Sequence, residues 1–300
     1  MILILCQEND VTSLKVIEWL KYYKIPFLNI EDNKSIDIID EISINKNEIR
    51  IKFTYHNKQY TLDSFSVVWN RRGSFLFSRQ KTHSIQENLG IKDNSFYNHI
   101  TREAETLKEF VAYCLTKKFY IDDSRYYSIN KLIVLDIAKQ IGLKIPDTII
   151  TNDYTNLIKK DKNLITKGIQ GVIHFKGNNY KYLHQQTQII NKELLEKEPR
   201  FYYSLFQKQI KKKYEIRTFI FFNKLFSMAI FSQNNEKTKV DFRNYDYNNF
   251  NRMVPNNLPA NIEKKLLLLM KELKIQSGSV DLIFNGKDYI FFRNKSCWSN

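Results

Sequence analysis

Cysteine, glycine and proline are scarce in this 300-residue sequence: three cysteines, eight glycines and five prolines. Cys6, Cys114 and Cys297 are odd in number and far apart. That excludes a disulfide framework and a zinc knuckle and points to a reduced, cytosolic compartment. So little glycine and proline excludes collagen-like and linker-rich designs. Long hydrophobic runs are missing too. The most apolar stretch, Thr218 to Phe231, is broken by Asn223 and Lys224 and is too short for a transmembrane helix. The opening Met1-Ile-Leu-Ile-Leu-Cys6 lacks a basic lead and turns polar at once, so it reads as a buried strand, not a signal peptide. No Gly-x-x-x-x-Gly-Lys-Ser/Thr loop and no Gly-x-Ser-x-Gly elbow is present. His56, His83, His99, His174 and His184 show no metal-ligand spacing.

What is present is a folding composition with an excess of positive charge. Hydrophobic residues make up 43% and charged residues 26%, enough for one large domain or two to three lobes. The formal net charge of +15 suits a phosphate, nucleic-acid or acidic-peptide partner. The richness in Lys, Asn and Ile competes with that reading, because A/T-rich codons alone produce it.

The pattern along the chain is α/β. Ile2–Cys6 reads as a strand, and Thr12 or Ser13 as the cap of a helix to about Lys24. Strands follow near 49–55, 59–62 and 67–70. Thr101 caps a second helix that ends with Lys117 and Lys118. A lobe boundary falls in the polar and aromatic stretch 120–127. A third helix starts near Ile129, stops at Gly142 and is followed by Pro146. Strands are expected at 148–151, 164–167 and 172–175, and a short helix at 193–197. Beyond Phe201 come a hairpin turning at Asn223-Lys224, an amphipathic helix over 261–273, and a hairpin around Asn285-Gly286.

Polar residues gather at the strand ends. Lys131 sits in a first helical turn, and Lys167 ends a strand before the small loop Gly168 to Gly171. Gln207 to Ile210 precedes a basic run, and Glu215 and Arg217 share one strand face. Lys237, Lys239, Asp241 and Arg243 cluster after a strand, and Asp281 interrupts an apolar one. Taken singly, each reads as a solvated or structural residue, and Lys237 stays so. Arg71 and Arg72 divide evenly between a solvated strand end and a substrate contact.

As an ordered series these residues resemble the ATP-grasp superfamily. More narrowly, they resemble the peptide maturases of grasp-with-spasm systems, the microviridin or graspetide ligases. Val68-Trp69-Asn70-Arg71-Arg72 resembles the Trp-x-Arg-Arg signature of their N-terminal domain. Asn130-Lys131-Leu132 through Gly142 to Asp153 resembles their central segment. Phe206-Gln207, Lys213 to Arg217, Ser232-Gln233 and Val240 to Tyr245 resemble the catalytic half, and Gly278 to Ile283 the metal-binding strand. The resemblance implies an α/β (α+β) ATP-grasp fold: a pre-ATP-grasp domain over 1–120, a central lobe over 121–200 and a C-lobe over 201–300, the last two sandwiching ATP. It implies that Lys131 and Lys167 hold the phosphates, that Gly168 to Gly171 form their lid, and that Gln207 to Ile210 pass the adenine edge. Glu215 would hold the ribose or a nearby group, Asp281 would bind Mg²⁺, and Lys239 and Arg243 would stabilise the acyl phosphate and its attacker. Arg71, Arg72 and Arg217 would contact substrate. The implied reaction is phosphorylation of a peptide Asp or Glu side chain, then attack by a Thr or Ser hydroxyl or a Lys amine. The partners would be ATP and a ribosomal precursor peptide, whose leader docks near the Glu215–Ser232 hairpin. No membrane partner is expected, and a homodimer is left open.

The pattern breaks at the end. The family places a Glu-x-Asn metal motif on the strand after Asp281, and a three- or five-residue turn puts position 293 across from Asp281. Here the tail reads Arg293-Asn294-Lys295-Ser296-Cys297-Trp298-Ser299-Asn300. Two unit charges about 4 Å apart at an effective dielectric near 20 interact by about 4 kcal/mol, and a dication doubles that. Written AGA AAT AAA TCC TGT TGG TCA and read without its first base, the tail encodes Glu-Ile-Asn-Pro-Val-Gly. The expectation is a one-base frameshift after Phe292, truncating the metal-binding end. Two further readings remain: a truncated, catalytically impaired homologue that only binds ATP or peptide, and a basic nucleic-acid-binding protein whose 18 Tyr and 21 Phe stack bases.

Overall fold

The computed structural model describes residues 1–31, 39–71, 73, 95–121, 130–158, 163–169, 174–177, 180–184, 187–190, 192–197, 199–235, 237–242, 246 and 248–296. Its contacts divide the chain into two units, Met1–Tyr127 and Ser128–Asn300, each with its own core.

In the first unit, β1 (Ile2–Cys6), α1 (Val11–Tyr22) and β2 (Phe27–Glu31) are followed by β3 (Ile39–Ile44), β4 (Ile49–Tyr55) and β5 (Lys58–Thr61). Then come β6 (Val67–Arg71), α2 (Ser95–Leu115) and β7 (Phe119–Ile121). A parallel sheet runs β2-β1-β6-β7, and β3-β4-β5 form an antiparallel sheet. β1 is buried on both faces, as parallel strands are. Leu3 and Leu5 join Phe53, Phe65, Val68 and Val111, while Ile4 and Cys6 pack with Ile17 of α1.

Two helix starts differ from expectation. Asp10 caps α1, its carboxylate accepting from the Ser13 N–H at 2.8 Å and the Ser13 hydroxyl at 2.9 Å. An ionised oxygen is the better acceptor at a helix N-terminus, so Thr12 and Ser13 lie inside the helix. α2 begins at Ser95, not Thr101, because half-buried Phe96 and Ile100 extend its apolar stripe upstream. After β6 the backbone passes so close to β1 that a Cβ on Gly73 would lie 2.4 Å from Cys6 N, so only glycine fits.

In the second unit, α3 (Lys131–Gln140) precedes β8 (Thr148–Asp153), α4 (Thr155–Ile158), β9 (Leu164–Lys167), β10 (His174–Gly177) and β11 (Tyr180–His184). β12 (Gln188–Ile189), α5 (Lys192–Lys197), β13 (Arg200–Lys208), β14 (Tyr214–Phe221) and β15 (Lys224–Phe231) follow. The last elements are β16 (Arg252–Asn256), α6 (Ala260–Glu272), β17 (Ser277–Phe284) and β18 (Tyr289–Ser296). One antiparallel sheet runs β12-β9-β13-β8, and β10 and β11 form a hairpin. A five-stranded antiparallel sheet runs β16-β15-β14-β17-β18. The core of this unit joins Val134 and Ala138 of α3 and Leu266, Leu269 and Met270 of α6 to Ile216, Ile220, Val280, Leu282 and Phe291.

Gly142 ends α3 as expected. At φ +83° it takes the left-handed conformation, and the Leu143 N–H returns to Ala138 O at 2.9 Å. Gly286 turns the last hairpin at φ +102°, with Asn285 Oδ1 accepting from the N–H of Lys287 and Asp288. The β14–β15 turn is Phe222-Asn223, one residue earlier than expected. Phe221 pairs with Lys224, and Phe222 takes φ +52°, a left-handed conformation unusual for an aromatic residue. β10 starts at His174, two residues after the expected Val172, which lies outside the described residues. Among the described residues, no helix is long and apolar enough to cross a membrane.

Candidate functional site

Strand alternation gives the five-stranded sheet two chemically different faces. Ile216, Ile220, Val280 and Leu282 lie in the α3/α6 core. The other face carries Glu215 across from Ile283, and Arg217 across from Asp281. A cavity of about 290 Å³ opens over it. Glu215, Asp281, Ile283 and Phe292 come from the sheet. Asn163 and Ile165 come from the start of β9, and Gln209, Ile210, Lys211 and Lys212 from the β13–β14 link. Gln233, Lys239, Val240, Asp241 and Phe242 come from the segment after β15.

The polar groups here are held in place. Lys212 and Glu215 form a buried ion pair, their side chains 6% and 8% exposed. Lys212 Nζ also donates to Val240 O at 3.2 Å, and the Ser232 hydroxyl donates to Glu215 Oε1 at 3.0 Å. Burial pushes the Glu215 carboxyl above the ordinary carboxylate range, against the Lys212 ammonium and the Ser232 bond that pull it down. Asp241 Oδ2 accepts from the Thr187 hydroxyl at 3.0 Å. Asp246, 9% exposed, ties the segment after β15 together. It accepts from Asn235 Nδ2 at 2.9 Å, from the Asn248 N–H at 3.2 Å and from Asn249 Nδ2 at 3.4 Å. These bonds hold its carboxyl below the usual range, the Asn235 bond first among them.

Several of the expected residues come together. Ile210, Glu215, Lys239 and Asp281 line the one cavity. Lys167 Nζ lies 4.0 Å from the ring centroid of Phe292, a cavity residue, and 3.4 Å from its carbonyl oxygen. Lys131, the first residue of α3 behind the Asn130 cap, donates to Gly168 O at 2.8 Å. Arg217 shares the Asp281 face and stands 5.9 Å from the Phe242 ring centroid. Gln207 is not among the lining side chains. It is fully buried, its Nε2 donating to Thr148 Oγ1 at 2.9 Å and its Oε1 having no hydrogen-bond partner.

Arg71 belongs to the first unit and is no solvated strand end. Its side chain is 13% exposed and lies 3.5 Å from Asp10 Oδ1 and from Thr12 Oγ1, at the start of α1. Arg72, Gly171 and Arg243 lie outside the described residues. Sequence reasoning missed Lys212, Thr187 and Phe292. Lys212 had a signal, its three-residue spacing from Glu215 in the middle of the lysine run 211–213. Thr187 had none, because its partner Asp241 lies 54 residues away.

No family profile and no curated protein sequence matches the chain. Solved structures do. The RiPP-associated ATP-grasp ligase of Chryseobacterium gregarium, solved with ADP and a leader and core peptide, superposes at TM-score 0.82 with 24% identity, over 100% of this chain and 89% of that one. The chain has the ATP-grasp fold. The macrocyclase MdnC of Microcystis aeruginosa, solved with precursor peptide MdnA, gives 0.74 at 22% identity, over 100% and 92% of the two chains. A D-alanine–D-alanine ligase of Bacillus anthracis gives 0.50 at 15% identity, over 98% and 86%.

The ATP-grasp fold implies a nucleotide and Mg²⁺, and the residues fit the two unequally. Apolar Ile165, Ile210, Ile283 and Phe292 beside lysines suit a base with a polyanionic tail. A magnesium ion needs several oxygen ligands. Among the described residues no group of three or more His, Cys, Asp or Glu is arranged for a metal. In the backbone register of the sheet, position 281 lies opposite position 217 on one neighbouring strand and opposite position 293 on the other. The register reaches Arg293 through a bulge. Phe284–Tyr289 and Leu282–Phe291 set a four-residue turn, and the shift after Leu282 brings position 293 opposite Asp281. Among the described residues, the donor set does not fit a protein-held Mg²⁺.

Proposed function

We propose that the chain is an ATP-dependent peptide maturase that forms side-chain ester or amide cross-links in a ribosomal precursor peptide. A carboxylate of the peptide attacks the γ-phosphorus of ATP, giving an acyl phosphate and ADP. A Thr or Ser hydroxyl or a Lys amine of the same peptide then attacks the acyl carbon and expels phosphate. In this reading Lys131 and Lys167 bind the phosphates, and Ile210 packs on the adenine with the backbone of Gln207 to Ile210 along its edge. Glu215, whose two side-chain bonds both use Oε1, offers its other oxygen to a ribose hydroxyl. Lys239 and Arg243 neutralise charge on the acyl phosphate. Residues 1–120 serve recognition, Arg71 and Arg72 among them, and Arg217 of β14 also contacts substrate. The observation that carries the reading is a cavity on an ATP-grasp fold in which Ile165, Ile210, Ile283 and Phe292 stand beside Lys211, Lys212 and Lys239. An arginine in the sequence at position 293, in backbone register with Asp281, favours a second reading, a homologue that binds nucleotide or peptide without turnover.

Thermal melting with ADP and ATP tests the first step, because a ligand stabilises only the state it binds. Both nucleotides should raise the midpoint, and Lys167→Met should weaken ADP about tenfold. Peptides carrying Asp or Glu with Thr, Ser or Lys, incubated with ATP, should lose one water per cross-link by mass spectrometry. Nucleotide binding without that loss supports the binder. A salt-sensitive response to an oligonucleotide and none to ADP would replace both readings with the basic nucleic-acid binder.

A further inference from the structure

Helix α1 is apolar on two sides, and its inner side alone is buried. That side holds Ser13 and Ile17, the latter packed with Ile4 and Cys6 of β1. The outer side carries Val11, Leu14, Lys15, Glu18, Trp19 and Tyr22, all exposed. Their spacing, alternately three residues and one, is that of a single helix face. Trp19, Tyr22 and the following Tyr23 keep 59%, 74% and 63% of their surface in solvent. The three rings already pack on one another. Trp19 stacks on Tyr23 with centroids 5.8 Å apart and meets Tyr22 edge-on at 5.8 Å. A cluster ordered in advance loses little further side-chain freedom when it is covered. Aromatic side chains bury about 150–250 Å² each, so with Val11 and Leu14 this patch exposes roughly 500 Å². That is large for a monomer and most of the roughly 800 Å² that each partner gives to a standard interface.

The stripe is its own complement. Two copies of α1 laid antiparallel, with a two-fold axis between Val16 and Ile17, set Val11 opposite Tyr22, Leu14 opposite Trp19 and Lys15 opposite Glu18. Apolar then meets apolar, and each charge meets its opposite. A slide of one turn sets the charges against apolar partners or against themselves. The charges within the stripe cancel, which suits a copy of itself better than a polyanion. We propose that the outer face of α1 is a two-fold homodimer interface, with Lys15 of each copy against Glu18 of the other. The face lies in the first unit, and the inference does not depend on the nucleotide reading. An interface of this size is at the small end of the specific range, so the expected dissociation constant is about 1–100 µM.

Sedimentation velocity of the full chain over about 1–200 µM, in about 0.3 M salt to screen the +15 charge of each copy, tests it. A monomer–dimer equilibrium is expected. Glu18→Lys sets lysine against lysine twice, and Lys15→Glu sets acid against acid, so each should weaken the dimer about tenfold or more. The double variant Lys15→Glu, Glu18→Lys re-forms both pairs and should return to within about threefold of the parent. Both positions are exposed, and melting curves that match the parent establish that the variants fold. Monomer at every concentration overturns the proposal. So does a dimer indifferent to both single changes, or a double variant no better than the singles. An oligonucleotide and vesicles of anionic lipid, each sedimented with the parent and with Trp19→Ser, test the other occupants. Binding that needs Trp19, by a chain that stays monomeric, would assign the face to that partner and overturn the dimer.

Discussion

At the scale of the residue, the Lys212–Glu215 pair is the most demanding arrangement in the molecule. Two opposite charges 6% and 8% exposed have given up most of their hydration, and each is tolerable only because of the other. Lys212→Met should therefore cost about 3–5 kcal/mol, more than an exposed ion pair would. The cost carries a pH signature. Burial already raises the Glu215 carboxyl in the folded state, and the ammonium opposes that rise. Without Lys212 the folded state binds its proton more tightly still, while the unfolded state keeps an ordinary carboxylate. Between those two affinities the folded state holds more protons, so stability falls as pH rises. Urea unfolding at several pH values should show the variant close to the parent in acid and progressively weaker toward neutral pH. A gap independent of pH would mean that Lys212 matters for packing alone.

At the scale of the element, the segment between β15 and β16 delivers Lys239 and Asp241 with no helix or strand among its described residues. What orders it is side-chain bonding: Asp246 gathers Asn235, Asn248 and Asn249, and the Thr238 hydroxyl lies 2.9 Å from Asn251 Oδ1. The Asp246 carboxyl is held low, so its contribution is present above the ordinary aspartate range and is lost as pH falls through the lowered value. Asp246→Asn should destabilise the chain near neutrality and converge with the parent in strong acid. Hydrogen exchange over 232–249 should quicken. Unchanged exchange there would show that the segment is ordered by other contacts. Such segments are where the sequence was least legible. α3 and the last hairpin announced themselves through Asn130, Gly142 and Asn285-Gly286, residues whose backbone preferences are local. β2, β7 and β16 did not. Their pairing is decided by distant strands, and β16 even carries Pro255, tolerated because it lies at the sheet edge. The site followed the same rule. Lys131, Lys167, Glu215 and Asp281 were legible as an ordered series, whereas Thr187 and Phe292 became visible only when the chain closed on itself.

At the scale of the whole molecule, two units with separate cores carry different parts of the proposed work. The first buries Leu3, Phe53 and Val68, and the second buries Ile216, Leu269 and Leu282. Every side chain lining the described cavity belongs to the second. A ligand that binds only one unit raises the unfolding free energy of that unit and reaches the other only as far as the two unfold together. Scanning calorimetry of the full chain should resolve two transitions, with ADP moving one of them upward. Hydrogen exchange measured alongside should show ADP-dependent protection in β9, the β13–β14 link, β14 and β17, and little change in β1, β4 and β6. A single transition moving as a block, with equal protection in β1 and β17, would show that the two cores unfold as one cooperative structure. Protection confined to the first unit would remove the nucleotide from the cavity altogether.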